Sequence, residues 1–120
     1  MEAGTGTAKL RIVRFEDVIL TLVQPEGGAW TLVSRSERTD FSSVLQVGMA
    51  ASSDGGSAIG LSPADHNNNP TVGNADLHAT FDFMRFDTPR DTDSVSAAEL
   101  LDPTSMTDAD LEALFGDPQD

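Results

Sequence analysis

The 120-residue chain contains no cysteine and only one tryptophan, Trp30. Without cysteine, a disulfide framework, a thiolate metal site and a cysteine nucleophile are excluded. No apolar run approaches the roughly 20 residues of a transmembrane helix, and residues 1–7 lack the basic and apolar regions of a signal peptide. If the chain is part of a longer exported protein, its export signal would precede Met1, so an extracellular or cell-surface location stays open.

Basic residues are also scarce, since seven Lys and Arg stand against twenty Asp and Glu, for a net charge of −13. The acids are concentrated towards the end of the chain, where residues 87–120 contain ten of them and a single base, Arg90. This charge disfavours nucleic acid and an anionic membrane as partners. We therefore predict a disordered N-terminus over residues 1–7, one domain over 8–87, and an acidic linker and tail over 88–120.

The apolar segments that are present predict β-strands. Residues 9–35 show three runs rich in Val, Ile, Leu and Phe, separated by Glu16-Asp17 and by a Pro-Glu-Gly-Gly turn at 25–28, which is typical of a β-meander. A fourth strand is predicted over residues 44–51 and a fifth over residues 79–86. The alternation predicts core positions for Trp30, Phe81 and Phe83.

Both faces of the predicted strands are apolar. Leu10 and Ile12 alternate with Val13 and Phe15 in the first strand, and the second strand has a similar pattern. Burial of a large apolar side chain contributes about 1.5–3 kcal/mol to the stability of the fold, and an exposed side chain does not make this contribution. The pattern therefore predicts that a second layer covers the sheet.

Four sequence segments, in this order, resemble the C-terminal half of a concanavalin A-like lectin/glucanase domain of the bacterial laminin-G-like branch. They are LRIVR at 10–14, WTLV at 30–33, VGMAAS at 47–52 and ATFD at 79–82. The resemblance implies an all-β fold, a partial jelly-roll β-sandwich. It also implies a non-catalytic carbohydrate-binding or adhesion module of a larger exported protein, with a glycan or polysaccharide as its ligand. The paired carboxylates that glucanases of this superfamily carry on one strand do not occur here, so no enzymatic activity is expected.

The long segment of residues 52–78 is the candidate ligand loop, because it is dense in Gly, Asn, Asp and Ser. Its amide and carboxylate groups suit sugar hydroxyls, and its carboxylate oxygens suit calcium. The predicted ligand-binding residues are Asp65, His66, Asn67, Asn68, Asn74 and Asp76, with Asp65 and Asp76 as calcium ligands. The alternative is an ordinary turn-rich loop whose side chains bond their own backbone.

The acidic tail has two helix-start signals. Ser96 to Glu99 and Thr107 to Asp110 resemble capping boxes, and the second precedes an apolar edge of Leu111, Leu114 and Phe115. One short helix is predicted there, docking onto the sheet or a partner. This gives an alternative function, a structural or protein-interaction module with no small ligand, which contacts another chain through an exposed sheet edge or the tail helix.

Overall fold

The computed structural model describes residues 6–51, 62–68, 79–90 and 92–116. Its strands are β1 (Ala8–Phe15), β2 (Val18–Pro25) and β3 (Thr31–Glu37), and its helices are α1 (Pro63–Asn68), α2 (Ala97–Leu101) and α3 (Asp108–Gly116). The chain divides into two compact units, Met1–Val44 with Asp87–Asp120, and Leu45–Phe86. The sheet, α2 and α3 belong to the first unit, and α1 belongs to the second.

The three predicted strands of the meander are confirmed. They form one antiparallel sheet in the order β1-β2-β3. The first turn is short because Phe15 pairs directly with Val18, and Glu16 takes a left-handed φ of 53° to close it. The second turn has Gly27 at a φ of 70°, a conformation that glycine adopts without steric cost.

The predicted alternation of side chains on β1 and β2 is also confirmed. Val13 on β1 and Val18, Leu20 and Leu22 on β2 are buried, and they share one face of the sheet. We call this the covered face. The residues that alternate with them include Leu10 and Ile12, whose exposed fractions are 74% and 67%.

A β-bulge shifts the register of β3 against β2. Thr21 pairs with Ser34 and Leu22 pairs with Leu32, so Val33 has no direct partner. An extra residue in one strand shifts the alternation of every side chain beyond it. As a result Arg35 pairs with Leu20 and lies on the covered face, although strict alternation from Leu32 would place it on the other.

The covered face is packed against two helices rather than a second sheet. The buried core combines sheet residues with residues of α2 and α3, namely Val13, Val18, Leu20, Leu22, Leu100, Leu111 and Phe115. The β-domain prediction therefore holds for the first layer, while the second layer is helical. The boundary predicted at residue 87 separates two segments that share this core.

Both helices begin at the predicted capping boxes, although the sequence predicted one helix in the tail and the described structure has two. Ser96 Oγ accepts a hydrogen bond from the Glu99 N–H, and the Glu99 carboxylate accepts one from the Ser96 N–H at 2.9 Å. Thr107 and Asp110 exchange the same two bonds at the start of α3. These caps satisfy N–H groups that would otherwise lack partners. Because α2 has five residues and α3 nine, neither helix would be stable without its tertiary contacts.

Arg35 joins the sheet to both helices. Its Nη1 donates hydrogen bonds to the carbonyl oxygens of Leu100 at 3.1 Å and Met106 at 2.9 Å, and its Nη2 donates to the Asp108 carboxylate. The Arg35 side chain is only 12% exposed. Carbonyl groups at a helix C-terminus lack intrahelical partners, so a cation placed there is favourable.

A second connection between the sheet and α3 lies at the C-terminal end of that helix. It involves Arg11, Trp30 and Glu112. Arg11 lies over the Trp30 ring with its Cζ atom 4.4 Å from the ring centroid, and it donates to the Phe115 carbonyl oxygen. Glu112 Oε1 accepts a hydrogen bond of 2.8 Å from the Leu32 N–H. Trp30 is half-buried and packs against the core, which confirms its predicted core position.

The fourth and fifth predicted strands are wrong. Residues 44–51 and 79–86 are described and belong to no strand. Phe81 and Phe83, which we expected in the core, are 49% and 61% exposed. The physical reason is that β-propensity reflects packing on a sheet, and neither segment has a hydrogen-bonded neighbour strand among the described residues.

The connection between α2 and α3 is organised by Asp102, and this gives a pH prediction. The Asp102 carboxylate accepts hydrogen bonds from the Thr104 hydroxyl, the Thr104 N–H and the Ser105 hydroxyl. These bonds lower the pKa of Asp102 from 3.8 to about 2, with the Thr104 hydroxyl as the largest cause. Because the pKa is lower in the folded state, folding is favoured when the carboxylate is charged. The contribution of Asp102 to the stability of the fold is therefore complete above pH 3.8 and is lost as the pH falls towards about 2.

We expect the melting temperature to decrease when the pH is lowered across this window. In Asp102→Asn the melting temperature should be lower than that of the wild type at neutral pH, and the two values should converge as the wild-type carboxylate becomes protonated. Thermal unfolding followed by circular dichroism at a series of pH values measures both. A constant difference between the two proteins at every pH would contradict the assignment.

Candidate functional site

The predicted ligand-binding residues are only partly within the described structure. Asp65, His66, Asn67 and Asn68 lie on the single short helix α1, in the unit Leu45–Phe86. Asn74 and Asp76 lie outside the described residues. The structure therefore brings four of the six predicted residues onto one helical segment, and the proposed calcium pair of Asp65 and Asp76 is not described as a pair.

Asp65 has a local structural partner. Its carboxylate accepts a hydrogen bond of 2.6 Å from the Ser62 hydroxyl, and its N–H donates to the same hydroxyl at 3.1 Å. This is the arrangement of a helix cap, in which a serine and an acid three residues later stabilise the first turn. Among the described residues, no group of three or more His, Asp or Glu side chains is placed to hold a metal ion.

The sheet presents a second candidate surface on the side away from α2 and α3. We define the open face as Leu10 and Ile12 of β1 with Ile19 and Val23 of β2. Leu10 pairs directly with Val23, and Ile12 pairs with Thr21, which separates Ile19 from Val23. Directly opposed residues on one face have Cβ atoms about 5 Å apart, so Leu10 and Val23 form one apolar pair, and Ile12 lies diagonally between Val23 and Ile19.

The open face is an exposed apolar surface of this acidic protein, and further apolar side chains are exposed within residues 44–49 and 81–86. Leu10 and Ile12 are the most exposed members, while Ile19 and Val23 are half-buried. Monomeric soluble proteins rarely expose large contiguous apolar patches, and such patches mark binding surfaces. The sequence already contained the signal, because both faces of the strands are apolar, but the loop composition drew attention to residues 52–78 instead.

The electrostatics of the open face differ from those of the rest of the chain. Glu37 is the only acidic residue within the three strands, and it pairs with Val18 on the covered face. Among the strand residues, the only charged one on the same side of the sheet as the open face is Arg14, which pairs with Ile19 and whose guanidinium donates to the carbonyl oxygens of Glu16 and Ser42. The open face thus carries no acid, although the chain has twenty.

Comparisons with known proteins give no further assignment. No family model, no curated protein and no solved structure matches the chain. No helix of the described residues is both long and apolar enough to cross a membrane.

Proposed function

We propose that this chain is a non-catalytic protein-interaction module whose binding surface is the open face. The observation that carries the proposal is the exposure of Leu10 and Ile12, at 74% and 67%, on a sheet whose other face packs against α2 and α3. Folding alone leaves these two side chains in water. Association with another apolar surface would bury them, and complete burial of such a side chain contributes about 1.5–3 kcal/mol.

The chemistry of the open face suits a protein surface better than a sugar. Sugar recognition needs convergent polar groups that replace the water around several hydroxyls, whereas Leu10, Ile12, Ile19 and Val23 provide none. A protein ligand offers apolar side chains that pack against them. The tail-helix surface that we considered for a partner is occupied internally, because Leu111 and Phe115 are buried in the core.

Glycan binding at residues 65–76 is the second proposal. Its support is the amide-rich composition of that segment and the resemblance to half of a concanavalin A-like jelly roll, which the β1-β2-β3 meander fits as far as it extends. Against it, Asp65 already caps α1 through Ser62. Calcium at Asp65 and Asp76 belongs to the same proposal.

Two single substitutions separate the proposals. In the experiment, the chain is fused to a proximity-labelling enzyme and expressed in its native cells. Three forms are compared, which are the wild type, Ile12→Asp and Asp65→Ala. We expect proteins labelled by the wild type to be lost with Ile12→Asp and retained with Asp65→Ala, because the first change places a charge in the open face and the second leaves that face intact.

The opposite pattern would contradict a binding role for the open face. Retention of the labelled set with Ile12→Asp would remove it as the binding surface. Binding of the purified chain to a glycan array, lost with Asp65→Ala or with a calcium chelator, would instead support the glycan proposal.

A further inference from the structure

The open face has the properties of a surface that pairs with itself. It is apolar, and no strand residue on its side of the sheet is an acid. A heterologous partner is normally selected by complementary charges, and the open face has none to offer apart from Arg14, which already donates to Glu16 and Ser42. In a two-fold dimer each residue meets the same surface on the other copy, so an uncharged apolar face is complementary to itself.

We propose that the open face packs against the open face of a second copy of this chain. The two sheets would stack as in a β-sandwich, about 10 Å apart, with α2 and α3 of each copy on the outside. This inference rests on the proposed function and names the partner. It also explains how a sheet with two apolar faces and one helical layer is covered on both sides.

The net charge supports this geometry. Two copies that each carry a charge of −13 repel one another, and the repulsion is smallest where they approach through a face without acids. The dimer places α3, which carries Asp108, Asp110 and Glu112, on the side of each sheet away from the interface. Added salt screens the remaining repulsion, so the dimer should become more stable as the salt concentration rises.

Edge-to-edge pairing of two sheets is less favourable. β1 is an edge strand, and it carries Lys9, Arg11 and Arg14 with no acid, so pairing two copies of β1 would bring six cations together. At the other edge, the Leu32 N–H of β3 already donates to Glu112. Stacking through the open face avoids both conflicts.

The size of the sheet sets the expected affinity. The open face is two strands wide and about 25 Å long, so it has a footprint of roughly 240 Å² per copy, judged from standard strand dimensions. This is less than half of the about 800 Å² per partner that stable interfaces bury. We therefore expect a reversible dimer with a dissociation constant above about 1 μM.

Sedimentation velocity of the purified chain tests the proposal over a wide protein concentration range, at about 0.05 M and about 0.5 M NaCl. We expect the dimer fraction to rise with protein concentration and with salt. Ile12→Asp should be monomeric throughout. Val44→Asp is the matched control, because Val44 is 80% exposed in the same unit but lies outside the sheet, and it should dimerise like the wild type.

Single cysteines locate the interface, since the natural chain has none. Thr21 is the β2 partner of Ile12 and lies on the same side of the sheet. Thr21→Cys should therefore form an intermolecular disulfide under mild oxidation. Ala113→Cys on the exposed side of α3 should not. If Ile12→Asp fails to fold, judged by circular dichroism, Leu10→Ser replaces it as an uncharged disruption of the same face.

A wild type that stays monomeric at all concentrations in high salt would overturn the inference, as would a dimer that survives Ile12→Asp. In that case, proximity labelling that is still lost with Ile12→Asp would leave the proposed function standing with a different protein as the partner. Retention of both dimer and labelling in Ile12→Asp would remove the function and the inference together.

Discussion

Leu111→Ala should reduce the free energy of unfolding by about 2–5 kcal/mol, the range for truncation of a fully buried leucine. Leu111 is completely buried where α3 packs on the sheet. The substitution removes apolar contacts and leaves a cavity between the two layers, which a nine-residue helix cannot close by itself. Since small domains have total stabilities of only about 5–15 kcal/mol, this one change would remove a large share.

Leu10→Ala is the matched control, because it is the same chemical change at a leucine that is 74% exposed. At protein concentrations too low for association, it should alter the free energy of unfolding by no more than about 0.5 kcal/mol. Urea denaturation followed by circular dichroism measures both variants. If Leu111→Ala were as stable as Leu10→Ala, the helices would not form the second layer of the core.

Arg35→Met should reduce the free energy of unfolding by about 2–4 kcal/mol, because it removes the charged donor shared by three acceptors. The carbonyl oxygens of Leu100 and Met106 would lose their bonds to Nη1, and Asp108 would lose its ion pair. Methionine keeps much of the aliphatic volume, so the loss reports mainly on hydrogen bonding. The helices should also loosen from the sheet, seen as faster amide hydrogen exchange in α2 and α3.

Arg38→Met is the control for this prediction. Arg38 is three residues along the chain, and it pairs with Asp40 on the surface, where both side chains are largely exposed. Exposed ion pairs contribute little to stability, so the urea midpoint should change little. Equal destabilisation by the two substitutions would show that Arg35 does not hold the helices through its specific contacts.

Much of this architecture could be predicted from local sequence patterns. The β1-β2-β3 meander follows from period-two alternation and from turn residues, both of which act between near neighbours in the chain. The starts of α2 and α3 follow from capping boxes, whose partners Ser96 and Glu99, or Thr107 and Asp110, are three residues apart. Each of these signals is complete within a few residues.

The incorrect predictions, two further strands and a solvated tail, have a common physical origin. Residues 44–51 and 79–86 have the composition of strands, but a strand exists only when another strand supplies hydrogen bonds, and no such neighbour is present in the described sheet. The acidic segment looked like a solvated tail because its charge outweighs its few apolar residues. Those few residues, Leu100, Leu111 and Phe115, are nevertheless buried.

The candidate site was missed for a related reason. Loop composition directed attention to Asp65 and its neighbours, whereas the open face consists of ordinary strand residues that have no chemical signature. Apolar residues on both faces of the strands predicted that each face needs cover. Which face receives it depends on where residues far along the chain fold back, and no local pattern encodes that.

Short-range physics in the chain thus specified the strands, their inward and outward side chains, the turns and the helix caps. Three-dimensional packing decided that the second layer is helical, that the bulge at Val33 turns Arg35 towards α2 and α3, and that Leu10 and Ile12 are left exposed. The reason is that these features depend on contacts between residues about 65 to 100 positions apart in the sequence, such as the hydrogen bonds from Arg35 to Leu100 and from Arg11 to Phe115. Such contacts depend on the whole fold and on the burial that it permits.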